Sequence, residues 1–370
     1  MELTRLPLRR IGQRLTEGID STLLVLLLSL SMIGLAALFS ASYDTPSRVA
    51  AQVGNLAFAL VAMWLVAQVP PQAMMRFAVP AYVIGLALLV AVALFGDVVN
   101  GARRWLHVGV TRFQPSEMMK LALPLMLGWY FHKHETTLKL RDFAMAALLL
   151  AVPLALIARQ PDLGTAALVG AAGFYVIFFA GIGWKVLGTI AALGVAALFP
   201  LWRMLHGYQK KRILTLLDPS QDPLGAGYHI IQSTIAVGSG GLSGKGWLNG
   251  TQAHLEFIPE RHTDFIFAVF SEEFGLIGNV VLLVLYTLLV ARGLMIAANA
   301  ATVFARLVAS AIALMYFTYA FVNMGMVSGI LPVVGVPLPF ISYGGTALLT
   351  LFIGAGILMS VHRHRKLVQT

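Results

Sequence analysis

Glu256, Glu260, Arg261, His262 and Asp264 crowd into nine residues that end where a long apolar run begins. A carboxylate at such a boundary has its proton affinity set by partial desolvation and by neighbouring charge. That suits a general base, and Asp264, at the mouth of the run, is the first candidate, tuned by Arg261 and His262. Its plainer role is a helix cap after Thr263. A second ionisable pair, Glu117 and Lys120, stands in Gln114-Pro115-Ser116-Glu117-Met118-Met119-Lys120, where Ser116 is the expected N-cap. At i, i+3 the two side chains can pair on one helix face. A lysine inside an apolar span costs about 2.5–3.5 kcal/mol on insertion scales. A cation lining a cavity is therefore the sharper reading and a structural ion pair the plainer one. Asp162, in Gln160-Pro161-Asp162-Leu163-Gly164-Thr165, repeats this outline and reads first as a cap.

Cations gather near the same boundaries. Arg103, Arg104 and Arg112 fall within 96–116, and Lys210, Lys211, Arg212, Lys245 and Arg261 within 204–263. They point to an anion on that face, against the plainer reading of side chains snorkelling to lipid headgroups. Glu272 and Glu273 lie deeper in the run after Asp264. Being adjacent, they point about 100° apart around a helix, as internal hydrogen-bond partners or a proton-linked site. The run Gly238–Gly246 imitates a P-loop but has Ser239 at the first required glycine and Gly246 after Lys245. It is a flexible turn set or a group of amides near a phosphate. Pro332, Pro337 and Pro339 forbid a regular helix between Ser328 and Ser342. Irregular backbone at membrane depth survives where protein or a watery cavity satisfies it, so this loop is expected to line a pocket.

The elements that must position these groups are membrane spans. The chain is 58% hydrophobic and 11% charged, against roughly 25% charged in soluble domains. Apolar runs near 21–41, 51–69, 76–95, 117–131, 143–158, 163–180, 185–203, 264–291, 303–330 and 343–361 approach the length of a crossing. The fold class is an all-α polytopic membrane protein of about ten helices, a single domain over 1–370 with one long extracytoplasmic loop near 204–263. The first run is too long for a signal-peptide core and is read as an uncleaved anchor. Arginines ahead of it and after the last run, with Lys133, Lys139 and Arg141 between, put both termini on the cytoplasmic side. The charged clusters then lie outside. The net charge of +10 reflects orientation and headgroup contact, with no nucleic-acid partner. With no cysteine there is neither a disulfide nor a thiolate metal site.

QPSEMMK, QPDLGT, LLDPSQDPLGAGYHIIQS, GSGGLSGKGW, LEFIPERHTDFIFA and NMGMVSGILPVVGVPLPFISYGGT run in order from residue 114 to 346. With them the chain resembles the shape, elongation, division and sporulation (SEDS) family, on its elongation rather than its division side. The resemblance implies a peptidoglycan glycosyltransferase of the cell inner membrane, acting in cell elongation and rod shape. Such an enzyme polymerises lipid II on the periplasmic face into β-1,4-linked glycan and releases undecaprenyl pyrophosphate. It implies Asp264 as the essential carboxylate, with Glu117 and Lys120 beside it as catalytic groups. Arg103, Arg104, Asp162, Arg212, Lys245, Glu260, Arg261, His262 and Ser342 are expected at the substrate. The implied partner is a class B penicillin-binding protein transpeptidase, meeting helices 264–291 and 303–330 and the long loop. Gly275, Gly278 and Gly325 permit close helix approach there, or internal packing. No cofactor is marked by the sequence, which has no dedicated metal cage, but a divalent cation could bridge Asp264 and the pyrophosphate. The alternative reading is a lipid II flippase or transporter.

Overall fold

The computed structural model describes residues 18–365 except 100–101, 109–110, 137, 205–206, 208–209, 211–213, 217, 222–224, 255–256 and 259. Helices α1 (Ser21–Ala41), α2 (Pro46–Gln68) and α3 (Pro71–Phe95) come first. Then follow α4 (Pro115–Lys133), α5 (Leu140–Arg159), α6 (Leu163–Phe179) and α7 (Trp184–Met204). The stretch 204–263 carries α8 (Ala226–Ser239) and the short α9 (Thr251–His254). Last come α10 (Ile266–Ala298), α11 (Val303–Val327) and α12 (Gly345–Arg363). Every predicted span falls on a helix. Among the described residues, seven helices are long and apolar enough to cross a membrane: α1, α2, α3, α5, α10, α11 and α12. This is a multi-pass, nearly all-helical membrane protein. Of the others, α4 carries Glu117, Lys120 and Lys133, and α6 has only 17 residues.

The segment 96–116 is not plain loop, because Asp97–Val99 (β1), Ala102–Val108 (β2) and Thr111–Phe113 (β3) form a small antiparallel sheet. Trp105 and Phe113 favour a pleated surface. The sheet holds Arg103 and Arg104 at the start of α4.

Helix α11 is the central post, packing against α10, α6, α4 and α12. Its Tyr316 and Tyr319 are fully buried. The two ends of the bundle are distinguished by which helix termini meet there. Arg261 Nε donates to the carbonyl of Ala41 (2.9 Å), so the end of α1 adjoins the entry to α10. At the opposite end Asp20 caps α1, accepting from the Leu23 amide (2.7 Å) and from Arg292 Nε of α10 (3.0 Å). Burial pushes the Asp20 carboxyl up, but Arg292, the Leu23 amide and His362 together hold it below its ordinary value.

Two close approaches bring loops to the site end. A Cβ on Gly34 of α1 would fall 2.6 Å from Ile341 Cα, and one on Gly164 of α6 would fall 2.6 Å from the Val334 carbonyl. The proline-broken loop 328–344 is thus wedged between α1 and α6. Phe340 takes φ 64° there, buried edge-on to Tyr316 and Phe352.

Candidate active site

Asp264 sits in the turn just ahead of α10, partly buried. The loop 328–344 holds its backbone in place from residue to residue. Tyr343 N donates to the His262 carbonyl (2.9 Å) and Ser342 Oγ to the Thr263 carbonyl (2.6 Å). Asn323 Nδ2 of α11 donates to the carbonyls of Asp264 (2.8 Å) and Val336 (2.7 Å). The side chain faces the same loop, since a Cβ on Gly335 would lie 3.3 Å from Asp264 Oδ2. Burial, then the negative charges of Glu260 and Asp162, push the Asp264 carboxyl up to about 6. Such a group is ionised at neutral pH yet has a real affinity for a proton, as a general base needs.

The expected tuning by Arg261 and His262 is corrected by this geometry. Both side chains turn away, toward the α1–α2 connection. Arg261 is buried, paired with Asp44 at 3.1 Å and lying over the Tyr43 ring. His262 Nδ1 lies 3.2 Å from Ser42 Oγ, and its Nε2 meets Arg48 Nη1. Burial and then the charges of Arg48 and Arg261 hold the His262 imidazole down at about 4, so it is neutral. These residues seat the segment that carries Asp264.

Asp162 caps α6, accepting from the Thr165 amide (3.0 Å), as the cap reading requires. Its other oxygen accepts from Gln114 Nε2 (3.0 Å). The two Gln-Pro motifs therefore meet in space. Gln114, not Ser116, is the N-cap residue of α4, because Pro115 takes the first helical position, which its fixed φ favours. Arg104 donates to the carbonyls of Gln160 and Pro161, bracing the turn behind Asp162. Arg103 is exposed on the sheet. Glu260 is exposed and accepts from Thr263 Oγ1 at 3.0 Å.

Glu117 and Lys120 form the expected pair, almost wholly buried. Lys120 Nζ also donates to the Tyr319 hydroxyl and lies 4.9 Å from the centre of that ring. Glu117 Oε2 is buried with no hydrogen-bond partner among the described residues. Tyr319 and Asn323 are one turn apart on α11, so one helix face touches both the Lys120 pair and the Asp264 backbone. Neither was given a role in the sequence reading. Their i, i+4 spacing inside an apolar run was the signal that marks them.

Lys245 does not join this group. Arg212 and Glu256 lie outside the described residues. Lys245 Nζ pairs with Glu272 at 2.6 Å, and Glu272 also accepts from the amides of Thr251 (2.9 Å) and Gln252 (3.1 Å). The phosphate-cradle reading of the glycine run is corrected too. The amides of Gly244, Lys245 and Gly246 donate to the carbonyls of Gly240, Glu272 and Glu273 at 2.9–3.0 Å. The run plugs a break in α10, where Gly275 adopts φ 62° and a Cβ would fall 2.3 Å from Gly244 N. Glu273 accepts from Ser40 Oγ. Both deep carboxylates thus act as internal hydrogen-bond partners, pointing to different neighbours. No cluster of three or more His, Cys, Asp or Glu able to hold a metal occurs among the described residues.

A family model for cell cycle proteins, FtsW/RodA/SpoVE, matches residues 20–367. The peptidoglycan glycosyltransferase MrdB of Escherichia coli (strain K12) is 51% identical over 352 residues, covering 95% of each chain. The rod shape determining protein RodA of Thermus thermophilus superposes with a TM-score of 0.71 at 31% identity, over 94% of this chain and 97% of that one. A chain from a peptidoglycan synthase complex that coordinates polymerization and crosslinking superposes with a TM-score of 0.82 at 33% identity, covering 94% and 99%.

Proposed function

We infer that this chain, which belongs to the FtsW/RodA/SpoVE (SEDS) family of cell cycle proteins, is a peptidoglycan glycosyltransferase that joins lipid II units into β-1,4-linked glycan. The observation that carries the mechanism is Asp264, a carboxylate raised to about 6 by burial and by two acidic neighbours, on a backbone fixed from two sides.

The reaction needs little more. A sugar hydroxyl is a poor nucleophile until its proton leaves. Asp264 takes that proton as the oxygen bonds to the anomeric carbon of the donor. The bond from that carbon to the pyrophosphate oxygen breaks, and its electron pair departs with undecaprenyl pyrophosphate. An α-linked donor giving a β-linked product needs one inverting displacement, so no covalent enzyme intermediate is required. The leaving group gains charge, and cations aimed at it stabilise the transition state selectively. Arg103, exposed on the sheet, is the arginine assigned that role, whereas Lys120 acts from within its pair with Glu117. Glu260 and Asp162 act by keeping the base basic. Arg261, His262 and Ser342 act on its position.

The span count of ten, both termini in the cytoplasm and the Asp264 end on the periplasmic side of the inner membrane complete the proposal. A class B penicillin-binding protein transpeptidase would supply crosslinking. Its membrane helix is placed along α10 and α11, where an apolar groove of about 580 Å³ is lined by Phe267, Tyr286, Val290, Phe317, Phe321 and Ile330. That pairing is supported by the synthase-complex chain to which this fold is similar. The lipid II transporter reading is less favoured, since the relative 51% identical over 95% of the chain is a peptidoglycan glycosyltransferase.

The test is glycan synthesis from lipid II by the purified chain with its transpeptidase, penicillin present, comparing wild type with Asp264→Asn. Glycan ladders from wild type alone are expected. Ladders from both would move the base elsewhere, and lipid II transfer across proteoliposomes without ladders would select the transporter. Excess chelator decides whether a divalent cation bridges Asp264 and the pyrophosphate: undiminished synthesis removes it.

A further inference from the structure

On the far side of the Asp264 segment lies a second cavity that the mechanism does not use. It measures about 630 Å³ and is lined by Phe39, Ser42, Val49, Ala50, Val53 and Leu248. That volume falls in the range of about 300–1,000 Å³ usual for small-molecule sites. Two walls are the last turn of α1 and the first turns of α2. The third is brought in by the 240–250 loop, which Trp247 fastens to α1. Its indole Nε1 donates to the Ala36 carbonyl (3.1 Å), and its ring packs 5.8 Å from Phe39. Leu248 beside it then closes the groove.

The groove is apolar along its length and polar at one end. Ser42 lines it, and Ser42 Oγ contacts His262, whose other ring nitrogen meets Arg48. His262 is neutral and Arg261 is paired with Asp44, so Arg48 is the cation in contact with the ring, while Glu260 is the further anion acting on it. His262 is two residues from Asp264. An apolar trough whose Ser42 end leads through His262 to the Arg48 guanidinium, beside the segment that carries Asp264, matches a ligand with a long hydrocarbon tail and a phosphate head.

Length separates that ligand from a partner's helix. Pro46 to Val53 covers about 12 Å of α2, against roughly 30 Å for a helix seam across the hydrocarbon core. A helix would leave most of its face outside this groove, whereas a flexible chain can enter from the side.

We propose that the α1–α2 groove binds the isoprenoid chain of a polyprenyl-pyrophosphate-linked substrate or product, with Arg48 at its pyrophosphate. This rests on the glycosyltransferase reading for the identity of the lipid, but not for the existence of the site.

The test uses the full chain in phospholipid nanodiscs and a photoreactive polyprenyl pyrophosphate, with labelled peptides mapped by mass spectrometry. Label is expected between residues 39 and 53, displaced by lipid II or undecaprenyl pyrophosphate and not by excess phosphatidylglycerol. Ala50→Trp and Val53→Trp, which fill the groove from the lipid side, should cut labelling by about tenfold and raise the KM for lipid II more than they lower kcat. Arg48→Gln should reduce capture of the pyrophosphate probe and spare capture of an uncharged polyprenol. Label confined to the α10–α11 groove, or equal displacement by phosphatidylglycerol, overturns the proposal, the second outcome marking a bulk-lipid groove. Specific labelling in a chain that makes no glycan would instead sink the polymerase reading and leave the groove standing. Glycan made at unchanged KM by both Trp variants would do the reverse.

Discussion

Asp264 and Glu272 stand on the same helix, one just ahead of it and the other two turns in, yet they live in opposite surroundings. Glu272 is fully buried and surrounded by donors: the Lys245 ammonium, the Thr251 hydroxyl and the amides of Thr251 and Gln252. Asp264 is less buried, and the charges that act on it are carboxylates. Its backbone is the part that is held, by Asn323 and by the loop through Ser342. A carboxylate matched with donors locks a structure, here the plug of the broken helix. A carboxylate whose position is fixed through its backbone, and whose charge is left to acidic neighbours, keeps its affinity for a proton.

The sharpest way to break this contrast is to neutralise each in turn. Asp264→Asn should lower glycan synthesis by about 10²–10⁴-fold, the usual worth of a general base, with thermal unfolding in nanodiscs unchanged. Glu272→Gln should do the opposite. It takes the charge from a buried acceptor at which Lys245 and the amides of Thr251 and Gln252 are aimed, a loss of about 1–3 kcal/mol. The melting temperature should fall while turnover per folded molecule stays within a few-fold of wild type. If Glu272→Gln abolishes turnover without loss of stability, the division of labour along α10 is wrong.

A smaller effect tests how Asp264 is held. Asn323→Ala removes the side chain that ties the Asp264 and Val336 carbonyls together. A base displaced by about 1 Å can lose on the order of 10²-fold in rate. The loss should fall on kcat rather than on KM for lipid II. A pure rise in KM would mean that the side chain of Asn323 touches substrate instead.

Much of this was legible in the sequence for a local reason. The Asp162 cap and the Glu117–Lys120 pair depend only on spacing of three along a helix, and both formed. The spans follow from hydropathy, which the membrane enforces. Long-range contacts were not legible. Lys245 is 27 residues from Glu272 in sequence, and nothing in the glycine run shows that it plugs a helix break rather than cradling a phosphate. Arg261 and His262 adjoin Asp264 in the chain but project toward α1 and α2, because a turn sends successive side chains in different directions. Tyr319 and Asn323 gained meaning only once α11 was seen at the centre of the bundle.

The finest test concerns the proton itself. With Asp264 near 6, kcat/KM should be level above that pH and drop about tenfold for each unit below it, as the base becomes protonated. His262 is held near 4, so it contributes no limb in that range. Burial is the largest cause of the Asp264 shift and survives mutation of its neighbours, but the Glu260 charge does not. Removing a negative neighbour makes ionisation of Asp264 easier, so Glu260→Gln should move the acid limb to lower pH and leave the plateau nearly unchanged. Asp162→Asn should move it the same way, since asparagine can still cap α6. A limb that stays in place in both variants would mean that a different group carries the proton. A limb that moves to higher pH would reverse the sign of the electrostatics argued for this site.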